Sequence, residues 1–220
     1  MVYEIYSAKR NFFSGFSVTL YLIAVNVVAF FVFALLIGIN QGLLDYIAIR
    51  PSNILQGKYL WTFFTSMFMH GGLFHIFANM FSLLFVGSLV EKILGGKRYL
   101  YFYLTSGLFA GLLFVLLSLL FVSDSQTYAV GASGALFGLV GLLVLLTPNL
   151  PVYIMFIPIP IKMKYAGPGI LVSLWLISSI ANIGIGNTAH LGGLIAGIAY
   201  GLYLKNKFPR KTKMIQKYFK

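Results

Sequence analysis

Ser133, His190, His75 and Asn79 are the residues of this chain best suited to chemistry, because each is polar and each stands near the start of a long apolar stretch. A serine hydroxyl becomes a nucleophile when a positioned base takes its proton, and neutral imidazole does this near physiological pH. Ser133 with His190 would form such a dyad. No Asp or Glu lies inside the apolar stretches to orient the imidazole: Glu91 ends one of them and Asp124 falls between two others. Phe137, one helical turn after Ser133, is the candidate platform for the ring. The backbone N–H of Ser133, at the start of its helix, together with the His75 and Asn79 side chains, could stabilise a developing oxyanion. A different chemistry is also open to His70, His75 and His190, since three imidazoles could bind a metal or ion in a transporter. The chain has no cysteine, which excludes disulfides and thiolate ligands.

The elements that must position these residues are read from composition and apolar runs. Of 220 residues, 60% are hydrophobic and 9% charged, against about a quarter charged in soluble proteins. The expected solvent is therefore lipid. Six segments are long and apolar enough to cross, at about 16 to 39, 72 to 91, 99 to 122, 130 to 147, 168 to 186 and 189 to 205. The first is too long for the cleaved core of a signal peptide, which spans about 7 to 15 residues. Residues 148 to 166 carry Pro148, Pro151, Pro158 and Pro160 and are expected to lie extended along the interface. The mixed loop from Asn40 to Leu60 suits a hairpin or short helices half sunk among headgroups. The expected fold is an all-α polytopic membrane protein with one six-helix domain over 16–205, a segment 1–15 before it and a basic tail 206–220.

The net charge of +12 comes from a shortage of acids and from bases placed between apolar segments. It points to membrane topology rather than to a nucleic-acid partner. With a cytoplasmic amino terminus, fourteen of the sixteen Lys and Arg fall on the cytoplasmic side, and only Arg50 and Lys58 fall on the other. Both termini are thus assigned to the cytoplasm. The second, fourth and sixth segments then all run inward, so His75, Ser133 and His190 share one depth, with Asn79 about 6 Å deeper than His75. His75, Asn79 and Ser82 form one polar stripe. Gly193, Gly197 and Gly201 lie on the helix face of His190, and Gly134, Gly138 and Gly141 flank Ser133. Small residues at this spacing let two backbones approach closely.

At this point the residues resemble a family. Gly131-Ala132-Ser133-Gly134 with Gly138 resembles the GxSG motif of rhomboid intramembrane proteases. Ala189-His190-Leu191-Gly192-Gly193 with Gly197 and Gly201 resembles their base-bearing last helix, and His70 to His75 followed by Asn79 resembles their HxxxxHxxxN element. Glu91 falls where the family commonly keeps an acid. The resemblance covers roughly residues 16 to 205 and implies the six-transmembrane-helix rhomboid core. It implies Ser133 as nucleophile, His190 as base, His75 and Asn79 in the oxyanion hole, and His70 as a structural histidine near the first loop. It further implies cleavage of single-span membrane proteins near the outer face, in contact with lipid and without cofactor or metal. Many members have Trp-Arg in the first loop, where this chain has Trp61-Thr62, so what anchors that loop is left open. Inactive rhomboid-like scaffolds lack the dyad, and its retention here favours activity. The compact size suggests a prokaryotic plasma membrane.

This topology is directly testable, because no native cysteine interferes. Single cysteines near Lys58 and Asp124 should react with an impermeant thiol reagent from outside, while cysteines near Lys97 and Lys211 stay protected in sealed cells; the opposite sidedness would overturn the shared depth of His75, Ser133 and His190.

Overall fold

A backbone crossing lipid must satisfy its own hydrogen bonds, which is why apolar stretches of this chain form helices. The computed structural model describes residues 17–120, 125–154, 158–181 and 186–219. Glu4, Lys9, Arg10, Phe16, Asp124, the stretch 182–185 of the fifth segment and Lys220 lie outside them. Six long helical segments carry the fold among the described residues. They are α1 (Val18–Ile39), α2 (Leu73–Leu94), α3 (Gly96–Leu117), α4 (Ser133–Leu146), α5 (Met163–Ala181) and α6 (Asn187–Lys207). A further helix, α7 (Pro209–Tyr218), follows directly.

Four of these, α1, α2, α3 and α5, are long and apolar enough to cross a membrane. The sequence reading expected six. The two that fall short are α4, with 14 residues, and α6, whose 21 residues include Asn187, Thr188, His190, Lys205 and Lys207. Fourteen residues span about 21 Å, less than the roughly 30 Å hydrocarbon core. The physical reason is that α4 faces protein on most sides, while α6 turns its polar and glycine positions toward α4 and keeps an exposed face with Ile195 and Leu202. Most of α4 is buried, including Phe137, Leu139, Leu142 and Leu143, whereas α1 buries only Thr19, Leu22 and Asn26. A helix surrounded by other helices needs neither the length nor the uniform apolarity that lipid imposes.

Residues expected to lie extended to Ala166 instead turn helical at Met163, and Pro168 sits inside α5. Ahead of it, β1 (Pro151–Val152) pairs antiparallel with β2 (Ile161–Lys162). The first N–H groups of α5 are satisfied by this hairpin, Met163 by the Leu150 carbonyl at 2.9 Å and Lys164 by the Pro148 carbonyl at 3.1 Å. Pro168 lies near enough to the helix start that its missing N–H removes one bond without ending the helix.

The first loop forms short turns at Gln41–Leu43, Leu44–Ile47 and Pro51–Ile54. Thr62 does not anchor it through its hydroxyl, which is buried without a partner. A polar clasp does so instead. Asp45 accepts from the Tyr128 hydroxyl at 2.7 Å and from Asn53 at 2.9 Å, and pairs with Arg50 at 3.4 Å. The Arg50 guanidinium stands over the Tyr128 ring and donates to Gln126. The Tyr128 hydrogen bond, with Asn53 and Arg50, holds the Asp45 carboxyl below its usual range. The clasp therefore contributes above the ordinary carboxylate pKa and is lost only as pH falls through the lowered value. An isolated bridge, Ile49 with Ala129, continues it toward α4, and the Trp61 indole donates to the Tyr46 carbonyl.

At the centre, α4 and α6 meet backbone to backbone. A Cβ on Gly193 would meet the Gly134 carbonyl oxygen, and one on Gly197 would meet the Gly138 carbonyl oxygen and stand 2.8 Å from the Gly141 Cα. These atoms are backbone and cannot rotate away. We expect Gly197→Ala to lower stability by about 1–3 kcal/mol through overpacking, read as a drop in the thermal midpoint in detergent. Gly38→Ala, in α1, where nothing lies within 4 Å, should be neutral or stabilising by up to about 1 kcal/mol.

Candidate active site

Ser133 is the first residue of α4, and the turn before it needs glycine. Gly131 has φ +113°, a left-handed conformation that side chains rarely adopt. Its N–H donates to the Ser66 carbonyl at 2.9 Å. A Cβ there would stand 2.8 Å from His75 Nε2 and 3.8 Å from Ser133 Oγ, so the His75 ring lies against the turn that delivers the serine. The first bond within α4 is Leu136 N–H to the Ala132 carbonyl. The N–H groups of Ser133, Gly134 and Ala135 precede it and have no acceptor inside the helix.

His190 sits in the first turn of α6, which the glycine contact presses against α4. Its Nε2 is 2.8 Å from Ser133 Oγ. The ring stacks on Phe137, with centroids 4.7 Å apart and planes at 22°. Its Nδ1 is buried and has no partner among the described residues, so there a flat aromatic face, not a carboxylate, orients the imidazole.

Asn79 lies one turn deeper on α2 and is buried. Its amide donates to the His75 carbonyl at 2.9 Å, while its Oδ1 has no partner among the described residues. The His70 and His75 rings meet edge to face at 5.1 Å. The His70 ring is buried, and burial, with His75 nearby, pushes its pKa down to about 4. Among the described residues no three His, Asp or Glu side chains form a group able to hold a metal.

The structure thus brings Ser133, His190, His75, Gly131 and Phe137 together at one end of the bundle. Asn79 joins them one turn below, and His70 sits behind His75. Gly134, Gly193 and Gly197 form the helix contact underneath. Sequence reasoning missed Ser66, which holds the Gly131 turn, and the clasp through Asp45, Arg50 and Tyr128. Asp45 and Arg50, opposite charges five residues apart in one loop, were a legible signal, but nothing local marks Tyr128 as their partner. It also missed the Asn187 amide donating to Ser178 Oγ at 2.6 Å, a tie between α5 and the start of α6. Chemically, the arrangement offers a hydroxyl within proton-transfer reach of an imidazole, beside free N–H donors.

Residues 57–207 match the model of the Rhomboid domain. RHOMBOID-like protein 1 of Arabidopsis thaliana is 36% identical over 159 residues, covering 70% of this chain and 37% of that protein. Rhomboid protease GluP of Bacillus subtilis (strain 168) is 31% identical over 188 residues, covering 80% of this chain and 32% of that protein. Inactive RHOMBOID-like protein 8 of Arabidopsis thaliana is 32% identical over 146 residues, covering 65% of this chain and 38% of that protein. The chain spans about a third to a half of the length of the curated relatives it matches.

Proposed function

This chain belongs to the rhomboid family, and on that premise we propose that it is an intramembrane serine endopeptidase working through Ser133 and His190. The observation that carries the proposal is the 2.8 Å approach of Ser133 Oγ to His190 Nε2, inside the 2.6–3.2 Å reach expected of a nucleophile and its base. In this mechanism the Ser133 hydroxyl donates to Nε2 and its oxygen attacks the scissile carbonyl carbon. The proton passes to His190, and the carbonyl oxygen becomes an oxyanion facing the free N–H groups at the start of α4 and the His75 ring. Collapse breaks the C–N bond, and His190 returns the proton to the leaving amine. Water, deprotonated by His190, then hydrolyses the Ser133 ester. Phe137 holds the ring through these steps.

Single-span membrane proteins are the proposed substrates, reached from lipid and cut near the face away from the basic tail. The six helices, their cytoplasmic termini and the domain limits 16–205 are part of the same proposal. An inactive rhomboid-like scaffold would share the fold, and a metal or ion transporter would use the histidines. Labelling by a fluorophosphonate separates the three readings. Serine labelling unaffected by a chelator supports the protease; no labelling, with retained fold, would favour the scaffold.

Two sets of variants test the roles. Ser133→Ala and His190→Ala should each abolish cleavage of a single-span substrate in liposomes while leaving the thermal midpoint near wild type, because either half of the unit disables both; a Ser133→Ala variant that still cuts would remove the proposal. His75→Ala should slow turnover by about 10² to 10³ at unchanged stability if it donates to the oxyanion. Asn79→Ala should cost less, since its amide already serves the His75 carbonyl. Near-normal turnover with early melting in both would make the stripe structural instead.

A further inference from the structure

The end of the bundle away from Ser133 carries cations that pair with no acid among the described residues. Helices α3 and α6 run antiparallel, with Gly192 against Ala110 and Leu113 near the active-site end and Phe102 against Tyr200 further along. Arg98, in the first turn of α3, therefore lies at the far end. It is exposed and has no hydrogen-bond or acidic partner among the described residues, and no acid stands in that first turn. Glu91, at the same end, is already engaged. It accepts from Ser17 Oγ, the Val18 and Thr19 N–H groups and Thr19 Oγ1, fixing the start of α1.

Beside Arg98 an open groove of about 220 Å³ runs between α3 and α6, lined by Tyr101, Phe102, Thr105 and Tyr200 as well as Arg98 itself. Phe102 and Tyr200 stack at 4.6 Å to form its floor. Tyr200 stacks in turn with Tyr203 at 6.0 Å, and Lys207 Nζ donates to the Tyr203 hydroxyl at 2.7 Å. One aromatic ladder is thus flanked by two cations, Arg98 and Lys207. An apolar groove on a membrane helix bundle with cations at one end complements an acyl chain ending in a negative headgroup.

We propose that this groove binds one anionic phospholipid, its phosphate held by Arg98 with Lys207 and its acyl chain lying over Tyr101, Phe102 and Tyr200. Specificity follows from charge: the arginine offers a planar fork to a phosphate, and a second negative charge or the lack of a choline cation favours the anionic lipid beside Lys207. Diffuse attraction by the basic tail is the competing explanation, since Arg210, Lys211, Lys213 and Lys217 of α7 also lie exposed at this end.

The test uses the full chain in detergent, titrated with phosphatidylglycerol or phosphatidylcholine, counting retained lipid by native mass spectrometry. Wild type should retain one phosphatidylglycerol in preference to phosphatidylcholine. Arg98→Gln should weaken that retention about fivefold, the worth of one basic contact near a membrane surface. Thr105→Trp, which fills the groove from an exposed position, should block it, and Lys213→Gln should leave it unchanged. Glycerol phosphate, which lacks acyl chains, should not compete. Retention unaltered by Arg98→Gln, or equally weakened by Lys213→Gln, would overturn the site, and competition by glycerol phosphate would reduce it to an anion contact without the groove.

Discussion

The close approach of α4 and α6 is the contact on which the rest of the structure depends. Gly134, Gly138 and Gly141 on one helix meet Gly193 and Gly197 on the other, with backbone carbonyls occupying the space where side chains would stand. In lipid there is little hydrophobic force to join two helices, so packing of this kind must supply the attraction. It also sets the distance between two side chains at the top of the contact, Ser133 and His190. A larger residue at Gly193 or Gly197 would separate the helices and the dyad together.

Around this pair the chain solves two opposed problems. The outer helices meet lipid, and α1 leaves Val28, Phe31 and Leu35 more than 60% exposed in the isolated chain. The inner pair must instead admit polar groups, which is expensive in an apolar slab unless partners are close. Some polar groups are satisfied fully, as when Glu91 collects the first N–H groups of α1. Others are left open among the described residues: Arg50 Nε and Thr62 Oγ1 are buried without partners, as are Asn79 Oδ1 and His190 Nδ1 in the region of the site. The turn at Gly131, held by Ser66 and covered by His75, keeps the serine presented to that region.

The first loop is held by contacts between residues far apart in the chain. With Thr62 after Trp61, the loop is tied down by Asp45, Arg50 and Tyr128 and by the Ile49 to Ala129 bridge. These contacts reach the segment just before Ser133. A loop that spans two helices is thereby braced against the turn that carries Ser133.

Much of the fold was legible in the sequence alone, for a physical reason: lipid is an unforgiving solvent, so apolar length reports helices and small residues at regular spacing report close helix contacts. Periodicity put His75, Asn79 and Ser82 on one stripe and the glycines on the facing sides of two helices. Only the tertiary structure decided which helices are shielded by protein. That is why α4, read as an ordinary span, stops at 14 residues, and why α6 can carry Asn187, Thr188 and His190 in its first turn. It also decided that α5 begins at Met163, since the hairpin that satisfies its first N–H groups is a contact between residues more than ten apart, invisible to local rules. The Tyr128 clasp and the stacking geometry of Phe137 on His190 belong to the same class. They depend on distances between elements, which spacing along one helix cannot encode.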